Sequence, residues 1–276
     1  MAKIRIVTDS TAYITKDYAA THDIKIVPLS VSFSGISEDE GYPGEFASYF
    51  EKLKNSQDFP TTSQPSIDAF AKVYEAAISE GFEVLTIVLS AKLSGTFSSA
   101  SVAAEMVGLD KISVIDSETS AGNLKLLVNM ALEGARNGLT RKEIVEFLET
   151  QKKKTGISLT VDTLDYLKKG GRLSSTQALI GSMLKVRPVI ALVDGKLEPV
   201  GKVRGKNKAL ELMMEQIPDT VEKISICHIF ALEEALLLKA QLETKFSKAE
   251  VVIDELGPVI GSHLGPKAIG ICSKWA

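Results

Sequence analysis

The sequence predicts an α/β protein of two domains, an N-terminal parallel sheet flanked by helices and a C-terminal mixed α/β domain. Three observations carry this reading. Short apolar strand-like runs alternate with helix-length patterns through the first half of the chain, as in βαβ units. A basic stretch of low apolarity, ETQKKKTG at 149–156, then interrupts the alternation. Beyond it, Asp194-Gly195 stands between two strand patterns, a hairpin signal that brings antiparallel pairing. The predicted domains are 1–152 and 153–276.

In chain order, KIRIVTD (3–9) is a buried strand and IKIVPLSVSF (24–33) a second. Pro43 suits the first turn of a helix through PGEFASYFEKLKN, where a missing N–H costs nothing. Ser66 caps the helix SIDAFAKVYEAAISEG, which ends at Gly81. FEVLTIVLS (82–90) and KISVIDS (111–117) complete four strands, with a helix near 96–107 between them and a helical pair near 118–150 behind them. The second half reads as ISLTVD, a helix, the loop KKGGRLSST and the Asp194-Gly195 hairpin. A helix over 206–217, the strand KISICHIF, a helix over 231–245, AEVVIDEL and AIGICSKW follow. The stretch GPVIGSHLGPK, rich in glycine and proline, reads as a loop beside a strand.

Composition narrows the function. The 276 residues include 45% hydrophobic and 24% charged side chains, a globular balance. A net charge of −3 argues against nucleic acid as a partner, because phosphate-reading domains are usually basic. No run approaches the ~20 apolar residues of a membrane span, and MAKIRIVTDST enters a strand with no apolar signal core. Both features predict a cytoplasmic protein, with transient contact at a membrane surface left open. Cys227 and Cys272 lie in strand-like runs and read as buried thiols of a reducing compartment. Three histidines and two thiols without ligand spacing give no metal site.

Parallel sheets bind ligands beyond the carboxyl ends of their strands. That rule gathers TDST, LSAKLSGT and DSETSAG at one rim. Asp9 there caps the next turn or ties loops together. Ser94 and Gly95 open a helix, and both a capping role and an anion site at its N-terminus fit that position. PTTSQPS (60–66) is a rigid, hydroxyl-rich connection, and Gly170-Gly171-Arg172 a tight turn whose arginine could bridge loops or reach an anion. Lys202, Arg204, Lys206 and Lys208 form a cluster that reads first as a solvated face. Ser94, Asp116 and His263 stand in the chain order of one hydrolase triad, but Ser94 lacks the G-x-S-x-G elbow. A G-x-x-x-x-G-K-[ST] phosphate loop is absent.

Taken together, IVTDSTA, TTSQPS, LSGTFSSA, VIDSETSAG, LKKGGRLSS, VRPVIAL, DGKLEPVGKVRGKNKAL and PVIGSHLGPKAIGI resemble the DegV family over nearly the full length. These are bacterial proteins that bind long-chain fatty acids and serve as the fatty-acid-binding subunit of a fatty acid kinase. The resemblance implies a lipid-binding carrier that is not catalytic alone and needs no cofactor, its ligand being the fatty acid. Its partners would be that acid and an ATP-binding kinase subunit, and the ligand head group would lie at the domain interface. The resemblance also implies that Thr62, Ser94, Gly95 and His263 surround the carboxylate, with Ser63, Arg172 and Arg204 touching the head group or the partner. The alternatives are an acyl-ester serine hydrolase and a small-molecule kinase in its own right. One departure from the family pattern is SFSGISEDEGYPGEF (32–46), expected to tune acyl-chain fit or partner docking.

The expected head-group chemistry is physically consistent. Each buried CH₂ contributes roughly 0.8 kcal/mol, so about fourteen methylenes offer on the order of 11 kcal/mol gross. The carboxylate cannot be buried unpaired. Hydroxyls and a histidine N–H can meet it with short charge-assisted hydrogen bonds.

Overall fold

The structure, a computed structural model, describes residues 3–56, 58–173 and 186–276. Strand β1 (Lys3–Asp9) becomes fully buried along its length, as expected of a strand covered on both faces. A short 3₁₀ turn and α1 (Lys16–Thr21) lead to β2 (Lys25–Val27), which pairs parallel to β1. The single strand expected over 24–33 is broken at Pro28, where the missing N–H cannot continue a ladder. The chain leaves the parallel sheet there. β3 (Ser30–Phe33) instead centres a small antiparallel sheet, β4-β3-β5, with β4 at Ile36–Asp39 and β5 at Thr61–Ser63. Helix α2 (Ala47–Lys54) starts after Pro43, which sits in a turn rather than in the helix. The Glu45 carboxylate accepts the Tyr42 N–H in that turn.

Next come α3 (Ile67–Ser79), β6 (Phe82–Val88), α4 (Thr96–Val107), β7 (Ile112–Asp116), α5 (Ala121–Arg136) and α6 (Arg141–Gln151). Ser66 caps α3 as expected, its Oγ accepting the Ala69 N–H at 3.1 Å. The parallel sheet has the order β2-β1-β6-β7. Two apolar layers cover it: Phe70 and Tyr74 of α3 with Ala100 and Ala103 of α4 on one face, Leu124 and Leu127 of α5 with Ile144 of α6 on the other. Helix α6 opens with a capping box in which Thr140 and Glu143 satisfy each other's backbone N–H groups. Thr140→Ala is expected to cost about 1 kcal/mol, measured as a lower urea midpoint with an unchanged slope.

The second half supplies β8 (Thr155–Thr160), α7 (Asp165–Gly170), β9 (Val186–Val193), β10 (Lys196–Arg204), α8 (Lys206–Glu215) and β11 (Val221–His228). It closes with α9 (Leu232–Lys245), β12 (Glu250–Glu255), α10 (Pro258–Leu264) and β13 (Ile269–Trp275). The six-stranded sheet runs β10-β9-β8-β13-β11-β12. Its pairs are antiparallel except β11–β12, so it is mixed as predicted. Asp194 (φ 48°) and Gly195 (φ 76°) are both left-handed, as a two-residue hairpin turn requires. The loop after α7 begins with Gly171 in the left-handed region, and Ser174 and Ser175 lie outside the described residues.

One expectation fails outright. His263 does not sit on a loop but in the last turn of α10. Pro258 occupies the first turn, where its ring is preorganised for a helix. The glycines that disguised α10 are close-approach positions. A Cβ on Gly261 would lie 2.5 Å from the Phe50 ring, and one on Gly257 would meet Glu40, Phe46 and Tyr13 within 2.8 Å. Packing against α2 thus outweighs the poor helix propensity of glycine.

Candidate functional site

The rim assembles as the strand order dictates. Asp9 Oδ1 accepts from the Thr11 N–H and hydroxyl, and Oδ2 accepts the Leu89 N–H at 2.7 Å, tying the end of β1 to the end of β6. Ser120, just before α5, donates to Thr11 Oγ1. Asp116 accepts from the Ala91 and Glu118 N–H groups. Burial pushes Asp9 up to about 6, against the hydrogen bonds from Thr11 and Leu89.

Between this rim and the six-stranded sheet lies a pocket whose walls bound about 950 Å³ including its mouth, a size that accommodates small-molecule ligands. Its shaft is apolar. Leu89 and Leu93 come from the rim, Leu159 and Leu197 from the facing sheet, and Val259 and Leu264 from α10. Ala121, held at φ 52° at the start of α5, contributes a small side chain to the wall. Cys227 and Cys272 also face the pocket.

Polar groups gather on α10, β5 and the loop before α4. His263 Nε2 lies 2.8 Å from Thr62 Oγ1, so the helix from the end of the chain meets β5 of the small antiparallel sheet. His263 Nδ1 is buried without a hydrogen-bond partner and packs against Gly170, where a Cβ would lie 2.2 Å from it. Burial first, and the Arg172 guanidinium second, lower the imidazole to about 4. The ring is therefore neutral near pH 7. Arg172 lines the pocket and donates to the carbonyls of Leu93 and Gly170, bridging loops as one sequence reading had it. Ser94 shares a 2.9 Å hydrogen bond with the Thr96 hydroxyl and accepts the Thr96 N–H, so it closes the first turn of α4 while facing the pocket.

Of the residues singled out in the sequence, Thr62, Ser63, Ser94, Arg172 and His263 all line this pocket. Gly95 caps α4 beside them, and a Cβ there would collide with the Gln64 side chain at 2.5 Å. Arg204 is exposed at the end of β10 and is not among the residues lining the pocket. Its neighbour Lys206 is not simply a solvated cation: it pairs with Glu234 and donates to the Lys267 carbonyl. Gln64 was missed as a wall residue, although it sits inside the TTSQPS motif. The sequence marks Cys227 and Cys272 as buried thiols, and so they are, but no pattern in β11 or β13 tells a core-facing from a pocket-facing side chain. Among the described residues there is no cluster of three or more His, Cys, Asp or Glu that could hold a metal. No described helix is long and apolar enough to cross a membrane.

The fold and pocket define a three-sheet α/β protein with an apolar cavity between its parallel and six-stranded sheets. The DegV family model, described as covering uncharacterised proteins, matches residues 3–274, and the chain belongs to the DegV family. A DegV domain-containing protein of Halalkalibacterium halodurans is 37% identical over 277 residues, spanning 98% of both chains. Among solved structures, DegV from Bacillus subtilis, a fatty acid binding protein, is 36% identical with a TM-score of 0.88, covering 100% of both chains. A stearic acid-binding protein from Eubacterium ventriosum is 29% identical with a TM-score of 0.89, covering 100% of this chain and 98% of that one.

Proposed function

We propose that this chain binds a long-chain fatty acid in the pocket between its sheets and presents the carboxylate to a separate ATP-holding kinase subunit. The single observation that carries the reading is the pairing of an apolar shaft with the Thr62–His263 contact beside Arg172. The fatty-acid binding of the solved relatives supports it. With Nε2 as the protonated nitrogen, the neutral ring donates to Thr62 Oγ1 and frees the Thr62 hydroxyl hydrogen for the ligand carboxylate. The Ser94 hydroxyl, and the Ser63 hydroxyl beside Thr62, add further donors. Arg172 contributes positive charge without entering the shaft. A carboxylate held this way keeps one oxygen available to accept a phosphoryl group.

In this reading Arg172 and the exposed Arg204 face the kinase subunit or an anionic membrane surface, and the pocket lies at the junction of domains 1–152 and 153–276. For phosphoryl transfer the protein is a carrier rather than the catalyst. A serine hydrolase finds less support. Asp116 is engaged with the Ala91 and Glu118 N–H groups, and His263 Nδ1 contacts no carboxylate, whereas a triad needs an acid at that nitrogen.

Native mass spectrometry before and after organic extraction tests the proposal. The expected result is loss of a mass matching a long-chain fatty acid, and reloading when the acid is returned. An empty protein that takes a covalent adduct from a serine-directed phosphonate would overturn it.

A further inference from the structure

The pocket wall contains chemistry that acyl binding does not require. Cys227 of β11 and Cys272 of β13 lie on neighbouring antiparallel strands, with their sulfurs 3.6 Å apart. Both are free thiols, each only 2% exposed, and both face the apolar pocket. They lie against the start of α5. The Gly122 N–H is directed at Cys227 Sγ and the Asn123 N–H at Cys272 Sγ. Gly122 makes this approach possible, since a Cβ there would collide with the Ser225 hydroxyl at 2.6 Å and touch Cys272 at 3.4 Å. The partners of the sulfurs are each other, Ser225 and this helix start, not the Thr62–His263 end.

The two thiols are unequal. The hydrogen bond with Cys272 holds Cys227 below the usual thiol range against the cost of burial, with Ser225 and the Gly122 N–H adding to the effect. Cys272 is pushed up by the same pairing and by burial. A thiol whose ionisation is eased beside a helix start is the better nucleophile of a pair, and a second thiol in contact can resolve what the first one forms. Asp254, which accepts from Ser225 and pairs with Lys125, is the nearby acid and raises both thiols. It does not reverse their order.

We propose that the Cys227–Cys272 pair reduces hydroperoxides carried on acyl chains bound in the pocket. The inference rests on the acyl-chain reading of that pocket. Cys227 Sγ attacks the terminal peroxide oxygen, the O–O bond breaks, and the alkoxide left on the chain takes the proton that Cys227 gives up. Cys227 is now a sulfenic acid. Cys272 Sγ attacks Cys227 Sγ, the S–O bond breaks, and the departing hydroxide takes the Cys272 proton as water. In sum, one acyl hydroperoxide and two thiols give one hydroxy-acyl chain, one disulfide and one water. A small-molecule thiol reductant restores the pair. Cys272 also forms part of a separate polar cleft lined by Lys125, Asn129 and Lys223, so the sulfur pair separates an apolar oxidant side from a polar reductant side.

The test uses delipidated, reduced, full-length protein mixed with linoleic acid hydroperoxide, with linoleic acid and hydrogen peroxide as parallel arms. Mass spectrometry follows the lipid, the intact protein and its peptides. The expected result is one equivalent of hydroxy acid per chain, loss of two hydrogen masses and a Cys227–Cys272 peptide pair. Hydrogen peroxide should react at least tenfold more slowly. Cys227→Ser should bind the hydroperoxide and return it unreduced. Cys272→Ser should reduce one equivalent and stop at a sulfenic acid trapped by dimedone. Native spectra that show the hydroperoxide bound but unreduced, with both thiols still titratable, overturn this inference and leave the acyl-carrier reading standing. Equal rates with hydrogen peroxide overturn the acyl substrate. Failure of linoleic acid itself to bind overturns the carrier reading and this one with it.

Discussion

The His263→Ala variant is expected to bind a long-chain fatty acid about tenfold to a hundredfold more weakly, while binding of the corresponding methyl ester hardly changes. The Thr62 hydroxyl, which His263 orients, makes the hydrogen bond to the charged carboxylate; such a bond contributes roughly 1.5–3 kcal/mol, and each 1.4 kcal/mol is about a factor of ten. Removing the imidazole also leaves Thr62 Oγ1 without the partner it has at 2.8 Å. The head-group network, not the shaft, then carries the loss. Competition against a fluorescent fatty acid, run in parallel with acid and ester, separates the two. Because the ring is held near 4, its charge should not alter binding between pH 5.5 and 8. Equal weakening of acid and ester would assign the ring to packing along the shaft and sink its role as a donor. Thr62→Val on top of His263→Ala should add much less than it does alone, since the two groups act as one unit.

Glu40→Gln is expected to make the protein more stable in mildly alkaline buffer. Glu40 lies in the stretch SFSGISEDEGYPGEF at 32–46. Its side chain turns inward: Oε1 accepts the Val259 N–H at 2.7 Å at the start of α10 and meets the Tyr13 hydroxyl, while Oε2 has no partner. Burial lifts its pKa from 4.5 to about 7, with nearby Asp9 adding to the rise and hydrogen bonds from Ser10 and Val259 opposing it. Between those two values the folded chain holds a proton that the unfolded chain has released. Glu40 therefore favours the fold most below pH 4.5, and its contribution falls as pH rises through 7. By pH 8 the penalty is roughly 3 kcal/mol. Glutamine keeps the acceptor for Val259 and removes the charge. Urea midpoints for variant and wild type should differ about a quarter as much at pH 5 as at pH 8, with the variant higher. His263 acts in the opposite sense: lowered to about 4 from 6.5, it costs stability as pH falls through that interval, in both proteins alike. A variant no more stable than wild type at pH 8 would show that Glu40 is not ionised at a cost in the folded chain.

How far the sequence reached can be judged from particular residues. Alternating apolar runs located all four parallel strands and the Asp194-Gly195 hairpin, because strand burial and left-handed turns leave local signatures in residue type. The motifs likewise named five residues that line the pocket. Local signals failed where a neighbour distant in sequence sets the backbone. Pro28 ends the second strand, as its chemistry allows, but pairing of β3 with β5 decides where the chain goes next. Helix α10 reads as a loop until Phe50, Tyr13 and Glu40 are seen filling the space that its glycines leave. The same holds for the site. Residue type marked Thr62 and His263 as capable of meeting an anion, yet they are 201 positions apart, and their contact follows from packing α10 against β5. The period of a strand says that Cys227 and Cys272 each point to one face of a sheet. That this face lines the pocket, with the sulfurs in contact over the start of α5, depends on strand order and register, which arise from the summed burial of the whole chain rather than from any one segment.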